Sequence, residues 1–198
     1  MKKVYILIGT RPNFVKVTQF KKVAKALGGV DIQIIHSNQH YDGNMSSVFF
    51  KQFGIDIDIM LEPFKGNSSE QFGHIIQQLS RVFVEKRPDF LLVVGDVNTT
   101  LAGALAANKL GIPLGHLESG LRSYDREMPE EINRIITDEI SDVYFTTESS
   151  GTKNLLKEGR KKENVFFIGN TMIDTLVAYQ SQIKSSEIIS QIGVPQNP

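Results

Sequence analysis

The run from Phe90 to Leu117, FLLVVGDVNTTLAGALAANKLGIPLGHL, decides the fold of this chain. Phe90–Val94 is apolar without interruption, the pattern of a strand covered on both faces. A helical pattern follows over 99–110. Gly111 closes it, where the left-handed backbone of a helix cap is least costly for glycine. Pro113–Leu117 then reads as a second strand. Strand, helix and strand in direct succession make a right-handed crossover between parallel strands.

The same alternation extends in both directions. Val4–Ile8, Ile32–His36, Val143–Thr146 and Val165–Ile168 read as strands, and Asp56–Met60 adds a short one. Helices are predicted near 14–27, 44–53, 69–86, 130–140 and 148–158, with a last one near 171–184. Gly28-Gly29, Gly54 and Gly159 punctuate them. The fold class is α/β, a doubly wound parallel sheet.

The 198 residues suit one domain with a sizeable core. Having no cysteine removes a disulfide framework, a thiolate metal site and a thiol nucleophile together. Lys+Arg and Asp+Glu balance at 22 each, which gives no electrostatic case for nucleic acid or a membrane surface. The apolar run after Met1-Lys2-Lys3 is five residues and stops at Gly9-Thr10-Arg11-Pro12, too short for a signal peptide. No run approaches the ~18 apolar residues of a membrane span. The reading is a cytoplasmic protein.

In an open parallel sheet, ligands sit outside the carboxyl ends of the strands. There the charges gather. Gly9-Thr10-Arg11-Pro12 follows the first strand, with Lys16 one turn into the next helix; Ser37-Asn38-Gln39-His40-Tyr41-Asp42 follows the second. Gly95-Asp96-Val97-Asn98 follows Val94, and Glu118-Ser119-Gly120-Leu121-Arg122 follows Leu117. Met128-Pro129-Glu130-Glu131 opens a helix carrying Asn133-Arg134. Carboxylates and cations on one edge are costly unless a ligand or mutual pairing satisfies them.

Each residue also has a plainer reading. Asp96 can simply hold its loop, and Asn98 or Thr99 can cap the next helix. Glu130 and Glu131 suit a helix N-terminus after Pro129. Arg11 and Lys16 can be solvated. Glu118 is the hardest to explain so, because a charge ending an apolar strand needs a partner or a task. Neither a P-loop ending nor a Gly-x-Gly-x-x-Gly turn is present, which disfavours ATP and NAD. The four histidines lack metal-ligand spacing, so core or surface roles are expected and no metal. No Gly-x-Ser-x-Gly elbow exists.

Six stretches in order resemble the UDP-N-acetylglucosamine 2-epimerases, enzymes of the two-domain GT-B fold. They are Gly9-Thr10-Arg11-Pro12 with Lys16, Gln39-His40-Tyr41-Asp42, and Val94 to Ala102. Gly115 to Ser123, Met128 to Arg134, and Gly169 to Leu176 complete the set. The form with Tyr41-Asp42 and Met128-Pro129-Glu130-Glu131-Ile132-Asn133-Arg134 is most similar to the non-hydrolysing branch. Departures are Ser37-Asn38 where the family usually has Thr-Gly, Ser119 for Ala, and Asn13 for Glu. The last removes one charge near the phosphate-facing loop.

The resemblance implies inversion at C2 of UDP-GlcNAc to UDP-ManNAc, for cell-surface polysaccharides, with UDP-GlcNAc and UDP as ligands and no cofactor. It implies Asp96, Glu118 and Glu130 as catalytic carboxylates, with Glu131 as the alternative at the paired glutamates. Arg11, Lys16, Glu131 and Arg134 would lie at the nucleotide-sugar, and Gln39 and His40 at a regulatory contact. It further implies a Rossmann-like N-terminal domain over 1–176 and, over 177–198, a linker helix and tail leading to an absent second domain. The isolated half would be inactive, and the full-length protein a homodimer. A hydrolysing epimerase releasing ManNAc and UDP, a non-catalytic nucleotide-sugar-binding half, and a GT-B glycosyltransferase stand as alternatives.

Overall fold

The computed structural model describes residues 1–39 and 49–193. Among these described residues the sheet has seven parallel strands in the order β3-β2-β1-β4-β5-β6-β7. They are β1 (Lys2–Ile8), β2 (Val30–His36), β3 (Ile59–Met60), β4 (Phe90–Val94), β5 (Leu114–Leu117), β6 (Val143–Thr146) and β7 (Val165–Phe167). Helices α1 (Arg11–Val17) and α2 (Phe20–Leu27) follow β1, and α3 covers 49–53. Then come α4 (Ser68–Glu85), α5 (Asn98–Lys109), α6 (Pro129–Ile140), α7 (Ser149–Lys157), α8 (Thr171–Ala178), α9 (Gln180–Lys184) and α10 (Ile188–Gln191).

Both faces of the sheet are covered, which is why its strands do not alternate in polarity. Tyr5 and Leu7 of β1 pack with Leu79 and Phe83 of α4 and Ala104 of α5. Their neighbours Ile6 and Ile8 face the other way, onto Phe14 and Val17 of α1 and Ile34 of β2. Side chains alternate across a strand, so two apolar layers demand an unbroken apolar run. Each fully buried side chain of this size contributes roughly 1.5–3 kcal/mol.

Strand order reverses between β1 and β4, where the chain's windings to the two sides part. In open parallel sheets ligands bind outside the carboxyl ends at such a point. The helix expected over 14–27 is two helices. The Val15 carbonyl accepts the Thr175 hydroxyl of α8 at 2.6 Å, and Thr18 Oγ1 bonds the same hydroxyl. A partner from α8 thus takes a carbonyl that a continuous helix would use for its own ladder. The helix expected over 171–184 likewise breaks at Tyr179, whose hydroxyl donates to the Phe53 carbonyl at 2.5 Å.

Among the described residues, no helix is long and apolar enough to cross a membrane. The predicted segment 44–48, His40 to Asp42 and the tail beyond 193 lie outside those residues.

Candidate functional site

The site is built on the loop that joins β4 to α5. Its carbonyls are held from three sides. Val94 accepts from Asn13 Nδ2 at 3.3 Å and Thr100 Oγ1 at 2.7 Å. Gly95 accepts from His116 Nε2 at 2.7 Å, and Asp96 from Asn133 Nδ2 at 2.9 Å. Helix α1, strand β5 and helix α6 thus each supply a clamp. The amide of Thr99 and its hydroxyl both donate to Gln39 Oε1, at 2.8 and 2.7 Å. Gln39 therefore satisfies an open amide in the first turn of α5. Asn98 and Thr99 do not cap it; the capping position is Val97.

Asn13 does not point at the open edge. It is 1% exposed, and its Oδ1 accepts from the amides of Gly9 and Thr10 at 3.1 and 3.2 Å. With its bond to Val94, the side chain ties the end of β1 to the end of β4, across the point where strand order reverses. A carboxylate could accept the two amides, but it has no hydrogen to give Val94.

The charged groups meet in two sets. Lys16 of α1 is paired with Glu118 at the end of β5, both side chains largely buried at 12% and 18% exposure. Arg134 of α6 is paired with Asp96 and, at 2.8 Å, with Glu131. Gly95 lies between the sets, with φ of 70°. A Cβ there would stand 3.4 Å from Glu118 Oε2 and 3.5 Å from Lys16 Nζ. Both are ordinary contact distances, so what glycine supplies here is the left-handed backbone beside the ion pair.

Glu118 itself has φ of 75°, uncommon for a residue with a side chain. Its amide and that of Ser119 both donate to the Phe145 carbonyl, at 2.9 and 3.2 Å, which holds the turn. Left-handed backbone costs such a residue roughly 1–2 kcal/mol. Strain kept at a charged strand end is the kind found at working sites.

The paired glutamates part company. Glu131 is 1% exposed and accepts from the Ser123 and Tyr124 amides at 2.9 and 3.0 Å. Burial opposes its ionisation, but those amides and the Arg134 charge outweigh it and hold the carboxyl below its ordinary range. Glu130 is exposed in the first turn of α6. Arg11 is exposed at the start of α1, its guanidinium 4.8 Å from the centroid of the Phe49 ring. His40 lies outside the described residues.

The structure brings Lys16, Glu118, Asp96, Arg134 and Glu131 together and leaves Glu130 and Arg11 exposed at the start of their helices. It gives three residues roles that the sequence did not assign them: Asn13 as a tie, and His116 and Asn133 as clamps. Polar residues inside apolar strands and helices were the one signal that could have marked them. Among the described residues no three His, Asp or Glu side chains group as a metal site. Carboxylates and cations side by side can move a proton and receive an anionic leaving group.

Comparison with known proteins gives one answer. The family model for UDP-N-acetylglucosamine 2-epimerase matches residues 22–197. The UDP-N-acetylglucosamine 2-epimerase of Methanococcus maripaludis is 43% identical over 178 residues, 89% of this chain and 48% of that protein. The UDP-2,3-diacetamido-2,3-dideoxy-D-glucuronate 2-epimerase of Pseudomonas aeruginosa is 39% identical over 92% of this chain and 52% of that one. The crystal structure of the Methanocaldococcus jannaschii UDP-GlcNAc 2-epimerase, in complex with UDP-GlcNAc and UDP, superposes with a TM-score of 0.89 at 38% identity. It covers 96% of this chain and 52% of that one. The chain spans about half the length of the curated relatives it matches.

Proposed function

The chain belongs to the UDP-N-acetylglucosamine 2-epimerase family, and we propose that it forms the N-terminal half of a GT-B enzyme inverting C2 of a UDP-linked 2-acetamido sugar, UDP-GlcNAc first. The observation that carries this reading is the pair of carboxylate–cation contacts, Lys16–Glu118 and Arg134–Asp96, flanking the point where strand order reverses.

The chemistry needs both kinds of group. The C2 proton of the sugar is not next to a carbonyl, so direct removal would leave an unstabilised carbanion. Breaking the C1–O bond first lets the electron pair leave with UDP and makes C1 oxocarbenium-like. The C2 proton then passes to a carboxylate, and a C1=C2 double bond forms. In return, UDP adds to C1 while a proton reaches C2 on the opposite face. Lys16, Arg134 and Arg11 are the cations for the diphosphate, and Asp96, Glu118 and Glu130 the carboxylates. Glu131 acts on the substrate through Arg134, which it holds. Gln39 links the segment after β2 to α5, a route for a regulatory contact in which His40 also belongs.

Residues 1–176 make the domain and 177–198 the linker and tail in this reading. Activity then requires a chain of the relatives' length, because half a preorganised site forfeits most transition-state stabilisation. The protein would act as a cytoplasmic homodimer supplying cell-surface polysaccharides, without metal, cofactor or nucleic acid.

The test joins this chain to the second half of the M. maripaludis relative and follows UDP-GlcNAc in D2O by NMR. The expected product is UDP-ManNAc carrying deuterium at C2. Free ManNAc with UDP would make it a hydrolysing enzyme. No turnover by the joined protein would overturn the catalytic reading, and ordinary turnover by the 198-residue chain alone would overturn the half-site reading.

A further inference from the structure

Behind the open edge lies a buried polar chain whose side chains are not among those assigned to the substrate. His116 of β5 is fully buried. Its Nε2 faces the Gly95 carbonyl at 2.7 Å, and its Nδ1 faces Asp138 of α6 at 2.7 Å. A carbonyl can only accept, so Nε2 carries a hydrogen. Burial works against ionisation of Asp138, yet His116 and Arg122 outweigh it and hold its carboxyl below the ordinary range. The other Asp138 oxygen accepts from the Gly120 amide at 3.0 Å and from Arg122 at 2.7 Å.

The ends of this chain are what matter. Gly95 immediately precedes Asp96, and Gly120 lies two residues beyond Glu118. Gly120 is held tightly, with φ of 79° and Gly151 O only 2.3 Å from where a Cβ would stand. One side-chain couple therefore joins the two loops that carry Asp96 and Glu118. Removing three ionisable groups from water is costly, and an apolar filling of equal volume is often no less stable. Stability alone does not account for the network; fixing a distance does.

We propose that His116 and Asp138 are positioning residues that set the placement of Asp96 relative to Glu118. This rests on the reading of Asp96 and Glu118 as the reacting groups, and its test has one arm independent of that reading. Asparagine carries its amide at the reach of Nδ1 and glutamine at the reach of Nε2. His116→Asn therefore keeps the Asp138 contact and loses Gly95, while His116→Gln keeps Gly95.

In the joined, active protein, His116→Asn should lower kcat about 10–100-fold with KM within about twofold, the scale of a small misplacement. His116→Gln should recover at least about tenfold of that loss. In the 198-residue chain, His116→Asn should move the carboxyl ¹³C NMR signal of Asp96 more than that of Glu118, whose loop is still held through Asp138, and His116→Gln should return Asp96 towards its original position. Arg122→Lys, which acts on the Asp138 oxygen that holds Gly120, should move the Glu118 signal more than that of Asp96, and serves if the histidine variants do not fold. Unmoved carboxyl signals in these folded variants, Asn and Gln variants of equal activity, or a loss confined to KM would overturn the proposal. Inactivity of the unsubstituted joined protein would count against the proposed function, while the NMR comparison would still decide the positioning role.

Discussion

Replacing Glu118 by glycine should leave the chain more stable than replacing it by alanine. Both substitutions remove the carboxylate and its pair with Lys16, so that loss cancels in the comparison. They differ by one Cβ. At φ of 75° that Cβ carries a strain of roughly 1–2 kcal/mol, while glycine loses roughly 0.5–1 kcal/mol more chain entropy on folding. The balance favours glycine by about 0.5–1 kcal/mol. At an ordinary strand end the sign would be reversed, since glycine would bring the entropy loss with no strain to relieve. Urea denaturation of the two variants at neutral pH reads the difference directly. Thermal melts should follow at about 2–4 °C per kcal/mol for a chain of this size. An alanine variant as stable as the glycine variant, or more so, would refute the strained-backbone reading and with it one of the reasons for placing Glu118 in the working site.

Three further outcomes are expected. Asp96→Asn or Glu118→Gln in the joined protein should lower turnover at least ~100-fold with little loss of stability, read by steady-state kinetics beside a melting curve; a loss of folding would favour a purely structural role. Asn13→Leu should destabilise by about 2–3 kcal/mol, since it strands the Gly9 and Thr10 amides. Asn13→Asp keeps the acceptor but buries a charge and sets a carboxylate oxygen against the Val94 carbonyl, so it should cost at least ~1 kcal/mol, and denaturation of both variants compares them. His36 is 1% exposed, and burial pulls its pKa from 6.5 to about 4. The unfolded chain therefore binds a proton that the folded chain refuses, and stability should fall by up to ~3 kcal/mol as pH drops from about 6.5 to about 4. His36→Phe, placed among Phe14 and Phe50, should remove that contribution from urea midpoints taken across the range.

Much of the fold was legible because it is local. Apolar runs such as Phe90–Val94 report two covered faces, and Gly28, Gly54, Gly111 and Gly159 all take the positive φ their places after helices imply. The break at Thr18-Gln19 was not legible, because the hydroxyl that competes for Val15 comes from Thr175, far along the chain. The site divides in the same way. Residues at the carboxyl ends of strands are named by strand order, so Asp96, Glu118 and Lys16 could be picked out as a set. Asn13 could be noticed only as a missing charge, whereas its work is a buried tie between two strands.

The sequence by itself determined which elements form, in what order, and that opposite charges collect at one edge. Those follow from periods of two and of 3.6 residues and from the handedness of the crossover, all of which act over short stretches. Only the tertiary structure decided who pairs with whom. Lys16 meets Glu118 across 102 positions and Arg134 meets Asp96 across 38, contacts that join α1 to the end of β5 and α6 to the loop after β4. It also decided between two adjacent glutamates. Successive helical residues point about 100° apart, so the same turn buries Glu131 on the Ser123 and Tyr124 amides and leaves Glu130 in the open. That choice depends on how the helix is rotated against the sheet, a quantity no local pattern contains.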